Sequence, residues 1–596
     1  MQVELAVIIV YLISLIVIGV VFERLNSSTD DFFRSGCRAT WWLTGASIFM
    51  GGISARTYTA NAGAAFEAGL GVFTVYAAGA FALLFHCLFL ARIFRQTRAV
   101  TIPEVIRDRF NVPTQQIYAY LGAVNFLLIA AMWLWGLGIF ATSVFGLNIQ
   151  WVVIGAGVVV LFYSTLGGSW AVMASDFVQG LIMVGVSVLV SIFCLVELGG
   201  FSGLVERLSA PENREWISLV KPDGAYAGGQ YTWAWHIAMA VNMLFAFLSL
   251  DAAPRYFAVK DGREASRAGL LAFLLYSLGL FIFFIPPWTA HLLYADQVNG
   301  FAGIKAAESS YAVTCMNVLP NGLIGLVIVA IFSATLSSMD VGVNRNAAMI
   351  VKDILPPIFR ALGAAELLQQ RELLIARGVS IVLGLMSIGI ALYFTGQNGM
   401  GMFETANLIG AMITLPMLIP MLLGLFVKKA PPSAALWSVG IALLPSLFAF
   451  KASHIDGEPW TFQKVLGWVV VAGVCSFLAS TAFWRRVNST DRERVNAFFQ
   501  KIHTPVDFAK EVGDDGATNS AATFVGMVSM VIGALLLLLL LAQDSVRGYV
   551  AVASLSIFLI GVGALLYGLS RKSRNATSQQ ITPTVLSTPI EESETK

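Results

Sequence analysis

The stretch that decides the fold runs from Gly45 to Gly69 and reads GASIFMGGISARTYTANAGAAFEAG. It is apolar enough to enter a bilayer, but its centre is crowded with small and polar residues. Close packing of helices through small residues explains a pair of glycines, but not the Arg56 that follows them. Irregular backbone at membrane depth persists where it lines a cavity or coordinates a ligand. We therefore predict a broken helix with free backbone carbonyl and N–H groups. The residues concerned are Gly51, Gly52, Ser54, Arg56, Thr57, Thr59, Asn61 and Gly63.

The composition places the whole chain in a membrane. Of its 596 residues, 57% are apolar and only 12% are charged, whereas a soluble protein carries roughly 25% charged residues. So few charges cannot cover a water-exposed surface of this size, which excludes a soluble enzyme, a nucleic-acid-binding protein and a disordered chain. The chain shows no segment long enough to be a soluble catalytic domain. It is therefore not expected to be an enzyme.

Fifteen apolar runs of about 18 or more residues predict a polytopic, all-helical membrane protein. With the N-terminus placed outside, alternation puts 27 Lys and Arg residues in inside loops and seven in outside loops. This bias predicts a cell-membrane protein with its N-terminus outside and its C-terminus in the cytoplasm. The first run is not expected to be a cleaved signal, since it begins MQVE and lacks a small-residue cleavage site before Glu23.

Residues 331–355 read IFSATLSSMDVGVNRNAAMIVKDIL and offer a row of oxygen atoms. Ala334, Ser337 and Ser338 stand at i, i+3 and i+4, so they share one helix face. Two hydroxyls and one carbonyl on a face suit a small hard cation, which prefers oxygen ligands. Serine hydroxyls in membrane helices also commonly bond their own backbone, and the spacing alone leaves that alternative open.

A carboxylate, Asp176, lies about eight residues inside the sixth apolar run, GGSWAVMASDFVQGL. Ser175 precedes it and Gln179 follows one turn later. A carboxylate at that depth needs a cation or several hydrogen-bond donors. A position at the inner mouth of the membrane is the alternative interpretation.

Three segments together resemble the sodium:solute symporter family, whose members include sodium–glucose, sodium–sialate and sodium–proline cotransporters. Residues 28–47, STDDFFRSGCRATWWLTGAS, resemble the family's linker into its first core helix. Residues 163–179, YSTLGGSWAVMASDFVQ, and 334–355, ATLSSMDVGVNRNAAMIVKDIL, resemble two further family segments. The resemblance covers about residues 1–485.

The resemblance implies a LeuT-type fold, in which two inverted repeats of five helices hold the binding sites at their shared centre. One extra helix at the N-terminus and about four at the C-terminus are then expected. The predicted segments are an N-terminal helix and linker (1–39), the first repeat (40–199), an outside loop (200–231), the second repeat (232–427), two additional helices (428–486), an inside linker (487–520), two C-terminal helices (521–572) and a disordered cytoplasmic tail (573–596).

The resemblance also implies where Na⁺ binds. In relatives, two carbonyls at the break of the first core helix and a carbonyl with two hydroxyls on the eighth core helix hold the ion. Those positions fall on Met50 and Ile53, and on Ala334, Ser337 and Ser338. The family's aspartate, which in some relatives supports this ion or helps bind a second one, falls on Asp176.

The implied solute cavity departs from that of the sugar carriers. The family's asparagine in the sixth core helix matches Asn242, and the nearby aromatic gate falls on Phe245, where sugar transporters have tyrosine. Thr57 replaces a sugar-binding glutamine, Tyr76 replaces a glutamate, and Asn407 takes a second glutamine's place. Most sugar-binding side chains therefore differ, which argues against a hexose.

Arg56 is the most informative departure. A guanidinium near the membrane centre costs about 2.5–3.5 kcal/mol on insertion scales, so something must offset it. The sequence offers an internal partner, Glu67 or Glu404, or a carboxylate on the solute, which the guanidinium fork fits with two hydrogen bonds.

Taken together, these features predict a sodium-coupled symporter that imports a small organic solute (a sugar, a sugar acid or another organic acid) by alternating access. A proton-coupled transporter of the same fold, with Asp176 as the titrating group, and a transporter-derived sensor are the alternatives. The expected partners are the solute and membrane lipid, with no nucleic acid. The protein is expected to be a monomer or a loose homo-oligomer.

Overall fold

The structure is a computed structural model, and it describes residues 11, 13, 35–166, 169–301, 305–320, 322–396, 401–511 and 518–580. These residues form helices and connecting turns, together with one isolated β-bridge between Ala39 and Val259. The first predicted apolar run, 3–22, lies outside the described residues except for Tyr11 and Ile13.

Nine helices fall in the predicted first repeat, 40–199. They are α1 (Trp41–Gly52), α2 (Ala55–Tyr58), α3 (Ala60–Ala68), α4 (Phe73–Phe85), α5 (Ala91–Gln96), α6 (Ile102–Arg109), α7 (Val112–Phe145), α8 (Ile149–Leu166) and α9 (Ser169–Leu198). A π-helical turn, His86–Leu90, joins α4 to α5. The predicted loop 200–231 contains two short helices, α10 (Gly200–Ser209) and α11 (Arg214–Ile217).

The predicted second repeat, 232–427, is also helical. Its helices are α12 (Trp233–Leu248), α13 (Ala253–Phe257), α14 (Gly262–Ile282), α15 (Ile285–Leu293), α16 (Ala295–Asn299), α17 (Ser310–Val318), α18 (Leu323–Met349), α19 (Leu355–Ala361), α20 (Ala365–Gln370), α21 (Glu372–Thr395), α22 (Met402–Ile409) and α23 (Leu415–Phe426). Beyond it lie α24 (Ala434–His454), α25 (Phe462–Ser480), α26 (Ser489–His503), α27 (Phe508–Glu511), α28 (Thr518–Leu536) and α29 (Val546–Gln580).

Within the described residues, eleven helical stretches are long and apolar enough to cross a membrane. A twelfth is added if α12 and Leu250–Phe257, which meet at 43°, form one broken span. This count is lower than the fifteen predicted runs for four reasons. The run 3–22 lies outside the described residues, the runs 40–68 and 70–91 share the stretch Ala55–Gln96, the apolar part of α8 is short, and α12 belongs to the bent pair. Each of the other ten predicted runs overlaps one of the helical stretches.

Two segments outside the spans differ in how well the sequence describes them. The linker 487–520 contains α26, whose apolar face of Val495, Phe498, Phe499 and Ile502 is buried. The tail was expected to be disordered from 573, but α29 continues to Gln580. Adding residues to an existing helix is far easier than starting one, which accounts for this extension. Residues 581–596 lie outside the described residues.

The core is a layer of helices around the broken α1–α2 pair. Met50, Ile53 and Ala55 are fully buried, and they pack in one apolar cluster with residues of α7, α9 and α18. Polar residues set the ends of the surrounding helices: the Asn111 side chain accepts a hydrogen bond from Thr114 N at 2.8 Å at the start of α7. The break therefore sits in the interior of the protein, away from lipid.

Candidate functional site

The predicted break is present between α1 and α2. Ile53 (φ −112°, ψ 136°) and Ser54 (φ −151°, ψ −177°) are extended, and the helical conformation resumes at Ala55. The backbone N–H of Ala55 no longer has a helical partner, and it donates to the Thr335 hydroxyl at 3.0 Å. An unpaired buried N–H would cost about 1–3 kcal/mol, so this contact stabilises the broken form.

The predicted hydroxyl face of α18 meets the break. Ser338 Oγ lies 2.9 Å from the carbonyl oxygen of Ile53 and 3.5 Å from that of Met50. Ser337 and Ser338 are each only 2% exposed, and Ala334 is fully buried. Backbone carbonyls and hydroxyls from two separate helices thus converge on one buried place, which is the ligand chemistry that a hard cation requires.

The two serines do not have the same partners. Ser337 Oγ donates to Asp176 Oδ1 at 2.5 Å, and the Ser47 hydroxyl donates to the other carboxylate oxygen. The guanidinium of Arg255 lies 3.4 Å from the same oxygen. Asp176 is fully buried. Its carboxylate is joined to the hydroxyl face of α18 through Ser337.

Thr335 and Arg255 were not among the predicted site residues. Thr335 follows Ala334 directly in the sequence, and its position in the same helical turn could have indicated that it lies at the site. Arg255 belongs to α13, far from Asp176 in the chain, and no spacing in the sequence connects the two. Their contacts depend on helix packing.

Arg56, on the other side of the break, contacts neither of its predicted internal partners. Its Nη2 donates to Asn407 Oδ1 at 2.9 Å. The carboxylates of Glu67 and Glu404 both accept from Lys305 Nζ instead, at 3.0 and 2.7 Å. Within the described part of the chain, Arg56 Nε is buried without a hydrogen bond, and no carboxylate lies within 4.0 Å of the guanidinium.

The other predicted solute-binding residues are distributed around this half of the break. Thr57 and Tyr76 are buried, and Tyr76 accepts a hydrogen bond from Asn61 at 3.2 Å. Asn242 of α12 is also buried, with its amide nitrogen 3.8 Å from where a side chain on Gly410 would begin. Phe245 packs in the apolar cluster of α23–α25.

Open space adjoins the break at Gly51 and Gly52, both of which are exposed. A Cβ atom on Gly51 would meet nothing within 4 Å, and one on Gly52 would lie 3.5 Å from Tyr276 and 3.7 Å from Phe247. Phe247 stands two residues after the predicted Phe245, and it contacts the Tyr276 ring at 5.3 Å. The family resemblance placed the aromatic gate on Phe245, and that assignment stays a prediction.

A cavity of about 840 Å³ approaches the same half of the break. It opens on the face of the protein that carries the loops around Gln230 and Trp460, which we call the loop face. At its loop end it is lined by Gln230, Ser453 and Trp460, and it reaches Asn407, the partner of Arg56. Lys305 and Glu404 lie along its wall, and Glu67 lines a separate cavity that Lys305 and Glu404 also border.

Glu308, which also lines this cavity, caps the start of α22. Its Oε1 accepts from the Met402 N–H at 2.6 Å. Burial raises the pKa of Glu308 to about 7, while the Met402 N–H and the charge of Lys305 act in the opposite direction. The first turn of the helix that carries Asn407 is therefore bound to a carboxyl group that titrates near neutrality.

Comparison with known proteins identifies the family. The pattern of the sodium:solute symporter family matches residues 32–441, which is more than half of the chain. The chain belongs to the sodium:solute symporter family.

Relatives of known activity match across most of the chain. The sodium/sialic acid symporter NanT of Aliivibrio fischeri is 23% identical over 84% of this chain and 97% of its own length. The sodium/sialic acid symporter SiaT of Proteus mirabilis is 24% identical over 78% of this chain and 93% of its own. The sodium/myo-inositol cotransporter 2 of Oryctolagus cuniculus is 24% identical over 77% of this chain and 71% of its own.

Solved structures agree on the fold. A substrate-bound, outward-open Na⁺-coupled sialic acid symporter superposes with a TM-score of 0.65 at 21% identity, covering 80% of this chain and 98% of that one. Mhp1, a nucleobase-cation-symport-1 family transporter in a closed conformation, superposes with a TM-score of 0.52 at 13% identity, covering 79% and 98%. The predicted LeuT-type fold is confirmed, while the predicted number of additional helices stays a prediction.

Membership of this family determines the class of function. The protein is a multi-pass membrane protein and a sodium-coupled symporter of a small solute, with Na⁺ as the coupling ion, and it is not an enzyme. Which atoms hold the ion and the solute is a separate question, and the geometry at the break bears on it.

Proposed function

We propose that the symporter binds its sodium ion at the break, between the carbonyl oxygens of Met50 and Ile53 and the α18 face of Ala334, Ser337 and Ser338. The observation that carries this assignment is the approach of Ser338 Oγ to the Ile53 carbonyl oxygen at 2.9 Å. The ligand set consists of oxygen atoms only, as a hard cation prefers. Asp176 supports the site through Ser337 and supplies a negative charge near it.

The ion would then act as a link between two parts of the fold. Its ligands come from the broken first helix and from α18, so binding holds these elements together. The solute binds on the other side of the same break, near Arg56, Thr57, Tyr76, Asn242, Phe245 and Asn407. A sodium ion that fixes the break raises the affinity for solute, and by linkage the solute raises the affinity for sodium to the same extent.

Alternating access requires that the break be reached from the outside or from the inside, but not from both at once. The cavity that reaches Asn407 starts at loops predicted to be outside. On the opposite face, Arg345 bonds the Asp251 carbonyl oxygen at 3.2 Å, and Gln115 donates to Asp353 at 2.7 Å. Asp251 and Arg345 line a small cavity of about 40 Å³. We propose that they separate, with Phe245 as an inner gate, when sodium and solute are released inside.

The proposed orientation has the N-terminus outside and the C-terminus in the cytoplasm of a cell membrane. Two ion pairs support the placement of distant loops on one face. Arg98 bonds Glu511 at 2.8 Å, and Lys501 bonds Asp108 at 3.0 Å. These residues come from the loops predicted to be inside by the excess of Lys and Arg.

We propose that the repeat bounds, 40–199 and 232–427, stand as read from the sequence. The protein is proposed to act as a monomer or a loose homo-oligomer in membrane lipid. Nucleic acid is not a proposed partner.

The sodium assignment is tested with the Ser337→Ala, Ser338→Ala double variant. A lost hydrogen bond to a charged group is worth about 1.5–3 kcal/mol, so sodium affinity should fall about 10- to 100-fold. Sodium-dependent thermal stabilisation of the purified protein measures it directly. Ser387→Ala is the matched control, since that hydroxyl is also buried and bonds the Leu383 carbonyl oxygen of its own helix, α21, at 2.8 Å.

Unchanged sodium affinity in the double variant would refute the assigned ligands. Uptake in sodium-free buffer driven by a pH gradient would instead favour the proton-coupled alternative, with Asp176 as the titrating group. Sodium and solute binding without any uptake into proteoliposomes would favour a transporter-derived sensor.

A further inference from the structure

Arg56 holds a cationic side chain beside the break with an incomplete set of partners. The described residues supply one hydrogen bond, from Nη2 to the neutral amide of Asn407 at 2.9 Å, while Nε is buried with none. A guanidinium has five N–H donors in a planar fork, and buried donors are normally paired. The arrangement leaves most of the donor capacity of Arg56 unused.

The charge of Arg56 is not neutralised by a neighbouring side chain either. The two carboxylates that the sequence offered, Glu67 and Glu404, are both paired with Lys305. Tyr76 and Tyr276 lie within electrostatic range of Arg56, but a phenol is neutral at pH 7. A positive charge at membrane depth thus lacks a counter-ion within the part of the chain that the structure describes.

The surroundings of Arg56 leave room for a ligand. The cavity from the loop face reaches Asn407, which is the residue that Arg56 contacts. On the other side, Gly51 borders open space, and the rings of Phe247 and Tyr276 stand 3.7 and 3.5 Å from a Cβ built on Gly52. A solute that reaches Asn407 therefore lies next to the residue that bonds the guanidinium, and the Tyr276 ring is within electrostatic range of Arg56.

We propose that the transported solute is a small organic carboxylate and that Arg56 is its specificity-determining residue. The carboxylate accepts hydrogen bonds from the guanidinium fork, whose planar geometry matches two carboxylate oxygens. Asn407 holds the guanidinium in place through its Oδ1, and the aromatic pair of Phe247 and Tyr276 receives the apolar part of the solute. This inference rests on the proposed solute cavity beside the sodium site and narrows its ligand to one chemical class.

The inference also explains why a lysine would serve less well at this position. An ammonium group is a point charge without a planar fork, and its shorter reach leaves Asn407 unpaired. Arg56→Lys should keep the electrostatic attraction for an anion and lose the two-point geometry. Arg56→Gln should lose both.

Solute binding is measured by thermal stabilisation in saturating sodium, with matched pairs of compounds that differ only at the acid. Each pair joins a carboxylic acid with its primary amide, and the set includes sugar acids, aromatic acids and short aliphatic acids. For the wild type, we expect at least one acid to stabilise the protein while its amide does not. In Arg56→Gln the dissociation constant for that acid should rise about 100-fold, and in Arg56→Lys about tenfold.

Arg267→Gln provides the control for removal of an arginine, because Arg267 is exposed and paired with Glu264 at 3.0 Å. It should bind the acid as the wild type does. An amide that binds as tightly as its acid in the wild type, or an unchanged dissociation constant for the acid in Arg56→Gln, would overturn the proposal.

The same samples separate this proposal from the sodium assignment. Stabilisation by sodium without any solute reports on the ion site alone, and it should survive in Arg56→Gln. Sodium stabilisation that is retained together with failure of the acid test refutes the role of Arg56 only. Loss of sodium stabilisation in the Ser337/Ser338 variant has no bearing on which solute Arg56 selects.

Discussion

On one side of the break, Met50 and Ile53 present backbone carbonyl oxygens to Ser338, and on the other side Arg56 extends a long cationic side chain toward Asn407. The first side, which we call the ion half, includes backbone carbonyl oxygens, which any residue can supply once the helix is broken. The second, the solute half, depends on side chains alone.

The electrostatics of the two halves differ in the same way. In the ion half, the buried charges are joined: Asp176 accepts from Ser47 and Ser337 and lies 3.4 Å from Arg255. In the solute half, the charge of Arg56 has only a neutral amide as its hydrogen-bond partner within the described residues. Buried charges that are paired with each other stabilise one geometry of the site. A buried charge without a charged partner favours binding of a ligand of opposite sign.

The largest effect on stability is expected for Asp176→Asn, in the ion half. Removing one partner of a buried ion pair costs about 3–5 kcal/mol, because the other charge stays buried without compensation. We expect a lower melting temperature together with a sodium affinity reduced at least tenfold. Thermal unfolding at a series of sodium concentrations measures both.

The double variant Asp176→Asn, Arg255→Gln separates the two roles of Asp176. Removal of both charges should recover much of the lost stability but not the sodium affinity, since the carboxylate also supplies charge near the ion. If the double variant binds sodium as tightly as the wild type does, Asp176 serves only to pair Arg255, and the ion half is simpler than proposed.

The sequence predicted the ion half more fully than the solute half, for a physical reason. The break follows from local composition, since glycines and polar residues around Ile53 are incompatible with a continuous lipid-facing helix. The Ser338 face follows from helical periodicity. Both are properties of short segments, and a single sequence displays them.

The solute half depends on long-range packing that no local pattern records. Whether Arg56 would find Glu67, Glu404 or a ligand depended on where Lys305 would be placed, and Lys305 takes both carboxylates. The aromatic residue beside Gly52 is Phe247 rather than the neighbouring Phe245, and the choice depends on the rotation of α12. For the same reason Arg255 could not be assigned to Asp176 from spacing.

A substitution in the solute half can supply the counter-ion that Arg56 lacks. Asn407→Asp would place a carboxylate where the amide oxygen now lies, 2.9 Å from Arg56 Nη2. We expect a raised melting temperature, because the buried cation gains a charged partner, and a dissociation constant for carboxylate solutes at least tenfold higher. Thermal shift assays with and without the acid measure both quantities.

Asn407→Ala is the matched control, because it removes the hydrogen bond without adding charge. It should lower the melting temperature and weaken acid binding less than Asn407→Asp does. Sodium stabilisation should be the same in both variants as in the wild type. Acid binding that is unaffected by Asn407→Asp would show that the solute contacts a different group, and it would remove the contrast between the two halves.

The smallest effect is expected at the outer end of the solute half, where Glu308 caps α22. Burial raises the pKa of Glu308 to about 7 from an ordinary 4.5, so the folded protein holds this proton more tightly than the unfolded chain does. The resulting stability is fully present below about pH 4.5 and is lost as the pH rises through about 7. The melting temperature should therefore fall by a few degrees between pH 5 and pH 8.

Glu308→Gln should flatten this part of the pH profile, because glutamine is neutral and still offers an oxygen to the Met402 N–H. At pH 8 the variant should be at least as stable as the wild type. Glu206→Gln, at an exposed position in α10, serves as the control and should leave the profile unchanged. A wild-type slope that persists in Glu308→Gln would assign the titration to another carboxyl group. The helix α22 also carries Asn407, which bonds Arg56. A flat pH profile in Glu308→Gln would therefore show that protonation of Glu308 stabilises the outer end of this helix.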